Sequence, residues 1–354
     1  MSQITINIGL IGYGLSGRVF HTPILTSVPG FHLHTVYETR DENIAAIKKR
    51  YPDAKVVSDT DEIFENKDIH LVVVATPNHV HYSYAKKALE SGKNVLVEKP
   101  FTCTSQEADE LIAIAKKTNK LLTVNHNRRW DGDFRTVEKV VKSNLLGEIV
   151  EYEAHFDKFR PEPGASWKYQ KASPASGTLY DLGSHLIDQA QCLFGLPEAV
   201  FGYIDAQRKN AEVVDSFEVI LKYPDRKVTL KSGMIVREPA PHFSIHGRKG
   251  SFIKYGADIQ EEDLHRGKVP KESEDWGREP EYMYGRINTE MEGLHITGTI
   301  ESESGDYREL YRNIYLALTE DQVLAVTAQQ ARDTIRIIEL AEQSSREKRW
   351  IRFE

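Results

Sequence analysis

Cysteine is nearly absent from this chain. Cys103 and Cys192 are the only two in 354 residues, far apart and without metal-ligand spacing. That argues against a disulfide scaffold or a zinc centre and fits a reducing cytoplasm. Long apolar runs are missing too: no stretch approaches the roughly 18 residues of a membrane span. The opening Met1-Ser2-Gln3-Ile4-Thr5-Ile6-Asn7 lacks the basic region that begins a signal peptide. No basic stripe occurs either. Against 46 Lys and Arg stand 53 Asp and Glu, for a net charge of −7, which makes nucleic acid and anionic membrane poor partners. Repeats and low-complexity tracts are lacking. What remains is 40% apolar and 28% charged, the composition of a globular protein, and the length predicts two domains.

Up to residue 124, strand and helix signals alternate. Strands are expected at Thr5–Ile11, Phe31–Tyr37, Lys55–Val57, His70–Ala75, Asn94–Val97 and Leu121–Val124. Helices are expected at Ser16–Thr26 (bent or shortened by Pro23), Glu42–Arg50, Asp61–Glu65, His79–Glu90 and Ser105–Asn119. Leu71-Val72-Val73-Val74-Ala75 is apolar on both faces, as a central parallel strand requires. This predicts an α/β Rossmann-type domain over 1–124, a doubly wound sheet with its ligand at the carboxyl ends of the strands. From 125 to 354 the pattern changes. A helix at Asp133–Ser143, a strand at Glu148–Phe159 and a helix at Leu179–Leu193 precede strands at Ala199–Gln207, Ser216–Tyr223, Lys227–Met234, His242–His246 and Ser251–Lys254. This reads as an α+β domain on a mostly antiparallel sheet. Gly256–Tyr284 reads as a long loop, and Ala328–Arg346 as a helix with Thr327 at its N-cap.

The first chemistry-bearing motif is Gly12-Tyr13-Gly14-Leu15-Ser16-Gly17, placed between a strand and a helix. Its glycines allow a tight turn, close approach of backbone to a pyrophosphate, and close strand–helix contact. The helix start, including Leu15 and Ser16, offers free N–H groups to phosphate. Glu38 ends the second strand about 20 residues on, where a carboxylate can bind the adenosine ribose. Thr39 and Arg40 follow, and Arg40 suits a 2′-phosphate instead. Glu38 tips the reading toward NAD, and Arg40 toward NADP. Thr76, Pro77 and Asn78, after the central strand, form a shelf for coenzyme, with Asn78 as a helix N-cap the plainer alternative. Glu98-Lys99-Pro100 ends the next strand, and Lys99 there can stabilise a developing alkoxide, with a surface lysine paired to Glu98 the equal alternative.

In the second domain Asp181 and His185 stand at i and i+4, on one helix face. A histidine is the natural acceptor for an alcohol proton, with the carboxylate orienting it. Asp188 lies off that face, so no metal site is expected. Asn127 and Arg128 at the domain junction, Lys158 on a strand and Trp167 in the next loop are candidate substrate contacts.

Taken together, these motifs and Asp181-Leu182-Gly183-Ser184-His185-Leu186-Ile187-Asp188 resemble the Gfo/Idh/MocA family of oxidoreductases. The segments Asn127-Arg128-Arg129-Trp130-Asp131 and Gly177-Thr178-Leu179-Tyr180-Asp181 are similar to its NADP-linked scyllo-inositol dehydrogenases. The resemblance implies a Rossmann domain and an open-faced sheet used in homodimers or homotetramers. It also implies joint action by a lysine, an aspartate and a histidine, matching Lys99, Asp181 and His185. One departure stands out: Glu38 occupies a position where the NADP-linked members carry a small residue. The expected activity is hydride transfer between NAD or NADP and a secondary alcohol of a cyclic polyol or sugar, in the cytoplasm. The rival readings are a coenzyme-binding regulator without turnover, and an NAD-assisted glycosidase or epimerase.

Overall fold

A computed structural model describes residues 4–164, 170 and 173–354. The chain divides into two compact units. The first comprises Met1–Asn127, Gln260–Trp276 and Asp306–Arg332; the second comprises Arg128–Ile259, Gly277–Gly305 and Asp333–Glu354.

The first unit holds six strands, β1 (Ile6–Ile11), β2 (Phe31–Tyr37), β3 (Lys55–Val57), β4 (Leu71–Val74), β5 (Asn94–Val97) and β6 (Leu122–Val124). They form one sheet in the order β3-β2-β1-β4-β5-β6, every pair parallel. Ile8, Leu10 and Ile11 of β1 and all four residues of β4 are fully buried, because helices cover both faces of a doubly wound sheet. Between the strands run α1 (Thr22–Leu25), α2 (Asp41–Arg50), α3 (Asp61–Phe64), α4 (His81–Glu90) and α5 (Ser105–Thr118). The Thr104–Glu107 capping box starts α5. Backbone bonds continue the ladder one step past β1, β2, β4, β5 and β6: Gly12 to Tyr37, Glu38 to Val57, Ala75 to Ile11, Glu98 to Val74 and Asn125 to Val97. Five candidate segments therefore start side by side along the carboxyl edge. The strand order reverses between β1 and β4, where such folds bind ligand.

The expected single helix at 16–26 is a widened π turn, Ser16–His21, followed by α1 with Pro23 in its first turn. The widening accommodates a proline that has no N–H to give. Two segments predicted to belong with the second domain contribute to this unit. Gln260–Trp276 was expected to be loop but contains a helix at Gln260–His265 and a short turn at Pro270–Glu272. Buried Leu264, Val269 and Trp276 anchor it, and the Trp276 indole donates to Gln260 at 2.8 Å. The helix Arg308–Thr319 has no counterpart in the sequence reading; it buries Leu310, Tyr311 and Ile314.

The second unit opens with α6 (Gly132–Lys142) and β7 (Ile149–His155); the helical run Leu179–Gly183 continues into α7 (Ser184–Phe194). Strands β8 (Ala199–Asp205), β9 (Ser216–Lys222), β10 (Lys227–Gly233), β11 (Phe243–Gly247), β12 (Gly250–Lys254), β13 (Gly285–Met291), β14 (Leu294–Ile300) and β15 (Ile351–Arg352) follow. With β7 they form a nine-stranded sheet, β14-β13-β12-β11-β7-β10-β9-β8-β15. Among the described residues, β7–β10 is the only parallel pair of this sheet. The β13–β14 hairpin was missed in the sequence. Its signal is Glu292-Gly293, both at positive φ, the tight turn that suits a two-residue hairpin. The C-terminal helix spans Ala328–Glu347, and Thr327 and Gln330 exchange reciprocal capping bonds at its start. Its later part lies on β8, where a Cβ on Gly202 would meet the Ala341 carbonyl oxygen at 2.3 Å.

Burial in this unit has a consequence for acid stability. His242 is 6% exposed, with ring centroids 4.6 Å from Phe156 and 4.2 Å from Phe243. Burial, then the positive charges of Arg128, Lys254 and His155, push its pKa down to about 3. Between the ordinary histidine value of ~6.5 and about 3 the unfolded chain holds this proton and the native chain does not,. Stability therefore falls as pH falls through that window, by up to about 1.4 kcal/mol per pH unit from this group. Melting temperatures from pH 7 to 4 should drop more steeply for the parent protein than for His242→Gln. Parallel curves would remove His242 as a source of acid lability.

Candidate active site

The glycine-rich loop has the geometry that a dinucleotide needs. Gly12 adopts φ +98°, and a Cβ there would meet the Ala75 carbonyl oxygen at 2.6 Å. A Cβ on Gly17 would lie 2.1 Å from the Gly12 oxygen, so helix start and loop touch backbone to backbone. Gly14 differs: the nearest atom to an added Cβ is Arg40 Nη2, at 4.0 Å. Its open surface lets a ligand approach the main chain. Leu15 beside it is 52% exposed. Across the loop after β4, Thr76 Oγ1 is buried with no partner among the described residues, an unsatisfied donor that a coenzyme hydroxyl or phosphate can complete. Asn78, also buried, opens a short turn after Pro77. It is not the N-cap of α4, which is preceded by Val80. These residues fit a nicotinamide dinucleotide.

Glu98 is the centre of a buried network in the first unit. Its Oε1 accepts from the Ser16 hydroxyl of the glycine loop and from Asn125 Nδ2 at 2.9 Å. His21 Nε2 is 3.0 Å from the same oxygen, and the other ring nitrogen of His21 is 2.5 Å from the Tyr311 hydroxyl. Oε2 accepts from the backbone N–H of Lys99 at 2.7 Å. Burial alone would raise the Glu98 pKa. The His21 ring, the Lys99 charge and the Ser16 hydroxyl overcome it and hold the carboxyl well below its usual range. One ionised carboxylate thus ties the glycine-rich loop to the backbone of the candidate lysine. Lys99 itself is half-buried, and the Lys99–Pro100 peptide is cis. His81 adds a second tie. Its ring nitrogens lie 3.0 Å from the Thr76 carbonyl and 2.9 Å from that of Pro100.

Glu38 and its neighbours turn inward upon one another. Glu38 is 5% exposed, and its Oε1 accepts from the backbone N–H of Thr39 at 2.9 Å and of Arg40 at 3.0 Å, and from Arg40 Nε at 3.0 Å. Its Oε2 accepts from Arg40 Nη2 at 2.8 Å and Asn43 Nδ2 at 2.7 Å. Burial opposes ionisation, but the Arg40, Asn43 and Thr39 donors lower the pKa to about 2.

In the second unit Asp181 lies in the widened turn Leu179–Gly183 and His185 one residue into α7. Four residues are close to one turn in either geometry, so both stay on one side. The run is anchored by the Thr178 N–H bond to the Val214 carbonyl at 2.8 Å. Gly177 at φ +86° leaves no room there for a Cβ, which would meet that carbonyl oxygen at 2.7 Å. His185 is 4% exposed and Asp181 is half-buried. Asp188 is taken: Arg129 clamps it bidentately at 2.6 and 2.8 Å, both side chains buried. Arg128 pairs with Asp131 at 3.2 Å and lies over the Phe156 ring at 5.1 Å. Asn127, half-buried, is the last residue of the first unit. Lys158 lies past the end of β7, where the sequence placed it on the strand; its N–H bonds the Gly233 carbonyl at 2.9 Å. Trp167 falls outside the described residues.

His21, Asn43, His81 and Tyr311 were not picked out from sequence, and Asn125 was read only as part of the polar run at the domain junction, not as a partner of Glu98. Of the first four, Asn43 alone left a trace, as a polar residue in the first turn of α2; the others gain meaning only from partners distant in the chain.

A 3-2-1-4-5-6 parallel sheet, a glycine loop at its switch point and a lysine ending the next strand but one define a nicotinamide-dependent dehydrogenase. Two family models agree with this class. Residues 6–126 match the NAD-binding Rossmann fold of the oxidoreductase family, and residues 138–353 match its C-terminal α/β domain. The chain belongs to the Gfo/Idh/MocA family of NAD(P)-dependent oxidoreductases. It is 42% identical over 350 residues to scyllo-inositol 2-dehydrogenase (NADP(+)) IolW of Bacillus subtilis, covering 99% of this chain and 96% of that relative. Levoglucosan dehydrogenase of Pseudarthrobacter phenanthrenivorans is 30% identical over 206 residues, 55% of this chain and 53% of that one. Among solved structures, yvaA of Bacillus subtilis superposes with a TM-score of 0.96 at 42% identity, covering all of both chains. No helix among the described residues is long and apolar enough to cross a membrane.

Proposed function

We propose that this dehydrogenase oxidises a secondary alcohol of a cyclic polyol or sugar, of the inositol kind, and reduces the matching ketone in reverse. The observation that carries the reading is the Glu98 network, in which the carboxylate that holds Ser16 of the coenzyme loop also holds the backbone of Lys99. The bound nicotinamide supplies the hydride acceptor. The glycine loop with Leu15 and Ser16, and the strand-end residues Glu38, Thr39, Arg40, Thr76, Pro77, Asn78 and Glu98, shape its site. His185 takes the hydroxyl proton, and Asp181 orients His185 or a neighbouring substrate hydroxyl. Lys99 stabilises the alkoxide-like oxygen with its positive charge. Asn127, Arg128, Lys158 and Trp167 are assigned to substrate recognition.

Support for the substrate class comes from relatives named for scyllo-inositol and levoglucosan, both of them cyclic and rich in hydroxyl groups. The reading includes a cytoplasmic location and a homodimer or homotetramer formed through the second unit's sheet. On that sheet Tyr203 is 62% exposed and shares a face with Phe201 and Ile220. The decisive experiment is a panel of inositols, aldoses and their keto forms assayed by coenzyme absorbance and fluorescence with NAD and NADP. Net coenzyme reduction with an inositol or a pyranose supports the proposal. Turnover only on acyclic alcohols overturns it, as does sugar conversion with no net change in coenzyme.

A further inference from the structure

An acidic residue ending the second strand of a dinucleotide-binding sheet ordinarily serves the adenosine ribose, whose two hydroxyls each need a carboxylate lone pair. Glu38 has none to offer. A carboxylate has about four lone-pair sites, and five N–H donors already converge on this one, from Thr39 N, Arg40 N, Arg40 Nε, Arg40 Nη2 and Asn43 Nδ2. Asn43 Nδ2 also reaches the Tyr13 carbonyl at 3.1 Å, which fastens the cluster to the glycine loop. The carboxylate is buried, whereas the Arg40 side chain is 56% exposed. Two guanidinium N–H groups, on Nε and Nη2, go to Glu38; of the five an arginine carries, the rest face away from that bond. The same Nη2 is the atom nearest to a Cβ added on Gly14, at 4.0 Å, and Gly14 is the one fingerprint glycine with open space over its backbone.

We propose that Glu38 is a positioning residue for Arg40 rather than a ribose ligand, and that Arg40 receives the phosphate monoester on the adenosine 2′ oxygen, so the protein selects NADP over NAD. The inference rests on the dinucleotide reading of the loop and names which dinucleotide it takes. A guanidinium oriented by a carboxylate pays less entropy to bind phosphate than a free one. The Glu38 charge is shielded by its own donors, so its repulsion toward a dianion is reduced. Asp41 and Glu42, the other acids nearby, are solvent-exposed, where water weakens their effect.

The test measures binding to the full-length protein by fluorescence titration, with NADPH, NADH, 2′,5′-ADP and 5′-ADP as probes. The parent protein should bind NADPH at least about tenfold tighter than NADH, and 2′,5′-ADP tighter than 5′-ADP, as expected for one charge-assisted phosphate contact. Arg40→Ala should erase that preference while moving NADH affinity by less than about threefold. Glu38→Gln is the deciding variant, because the two roles give opposite signs. A positioning Glu38 predicts weaker NADPH binding with NADH little changed. A ribose-binding Glu38 predicts weaker NADH and stronger NADPH binding, which overturns the inference. If Glu38→Gln does not fold, Arg40→Ala and the two ADP probes decide alone. Equal binding of the two ADPs by the parent overturns the inference but leaves the dinucleotide site standing, whereas a parent that binds neither coenzyme overturns both.

Discussion

Lys99→Ala should lower turnover by about 10³-fold while leaving coenzyme affinity within about threefold of the parent. The asymmetry follows from how Lys99 is held. Its backbone N–H, not its amine, makes the 2.7 Å bond to Glu98 Oε2, and alanine keeps that bond. Ser16 and Asn125 stay on Glu98 Oε1, so the glycine loop keeps its shape. What alanine removes is a positive charge at the carboxyl edge of the sheet, where an alkoxide-like oxygen would need it. The Lys99 charge also helps to keep Glu98 ionised, but the His21 ring contributes more, so the network survives. Stopped-flow turnover set beside equilibrium coenzyme titration separates the two effects. Lost coenzyme affinity with intact chemistry would reverse the assigned role. Glu98→Gln is the useful contrast, because weakening the shared carboxylate should reduce binding and turnover together.

His185→Gln should cost about 10²- to 10⁴-fold in the oxidation rate, the usual worth of a positioned general base. Its pH signature is more specific. A base must be neutral to accept a proton, so oxidation by the parent rises with pH through the imidazole ionisation and then levels. Ketone reduction needs the protonated ring and runs the opposite way. Glutamine cannot titrate, so the variant should lose that limb of both profiles. Glutamine also suits the site: His185 is 4% exposed, and an amide preserves polar capacity where alanine would leave a cavity. Persistence of the same limb in the variant would move the proton to another group. A thermal melt on each variant keeps misfolding apart from lost chemistry.

How far the site was legible depended on how local its signals are. Gly12, Gly14 and Gly17, the strand-end positions of Glu38 and Lys99, and the i, i+4 spacing of Asp181 and His185 are local, and spacing is written along the chain. Six parallel strands were legible because buried strands between helices are continuous apolar runs. The β13–β14 hairpin was not: β13 alternates buried and exposed positions, but two of its buried ones are Gly285 and Thr289, and β14 has no buried residue, so no apolar alternation marks the hairpin in the sequence. Arg308–Thr319 carries Leu310, Tyr311, Ile314, Tyr315 and Leu318 at helical spacing, so its period was present in the sequence although only three of its residues are buried.

The amino-acid order alone settled the class of fold, and it nominated the dinucleotide loop and the residues proposed for chemistry, because those rest on backbone freedom and on periodicity within a few residues. It left the use of Glu38 open, since an acid at a strand end looks the same whether its oxygens face a ribose or an arginine. Only the folded chain shows which groups those oxygens meet, by bringing five donors to one carboxylate. It likewise brought His21, Tyr311, Asn125 and Ser16 around Glu98 from as far as 290 positions apart. Partner choice for a buried charge is set by which segments the sheet gathers, and burial makes that choice strict because an unpaired charge there is costly.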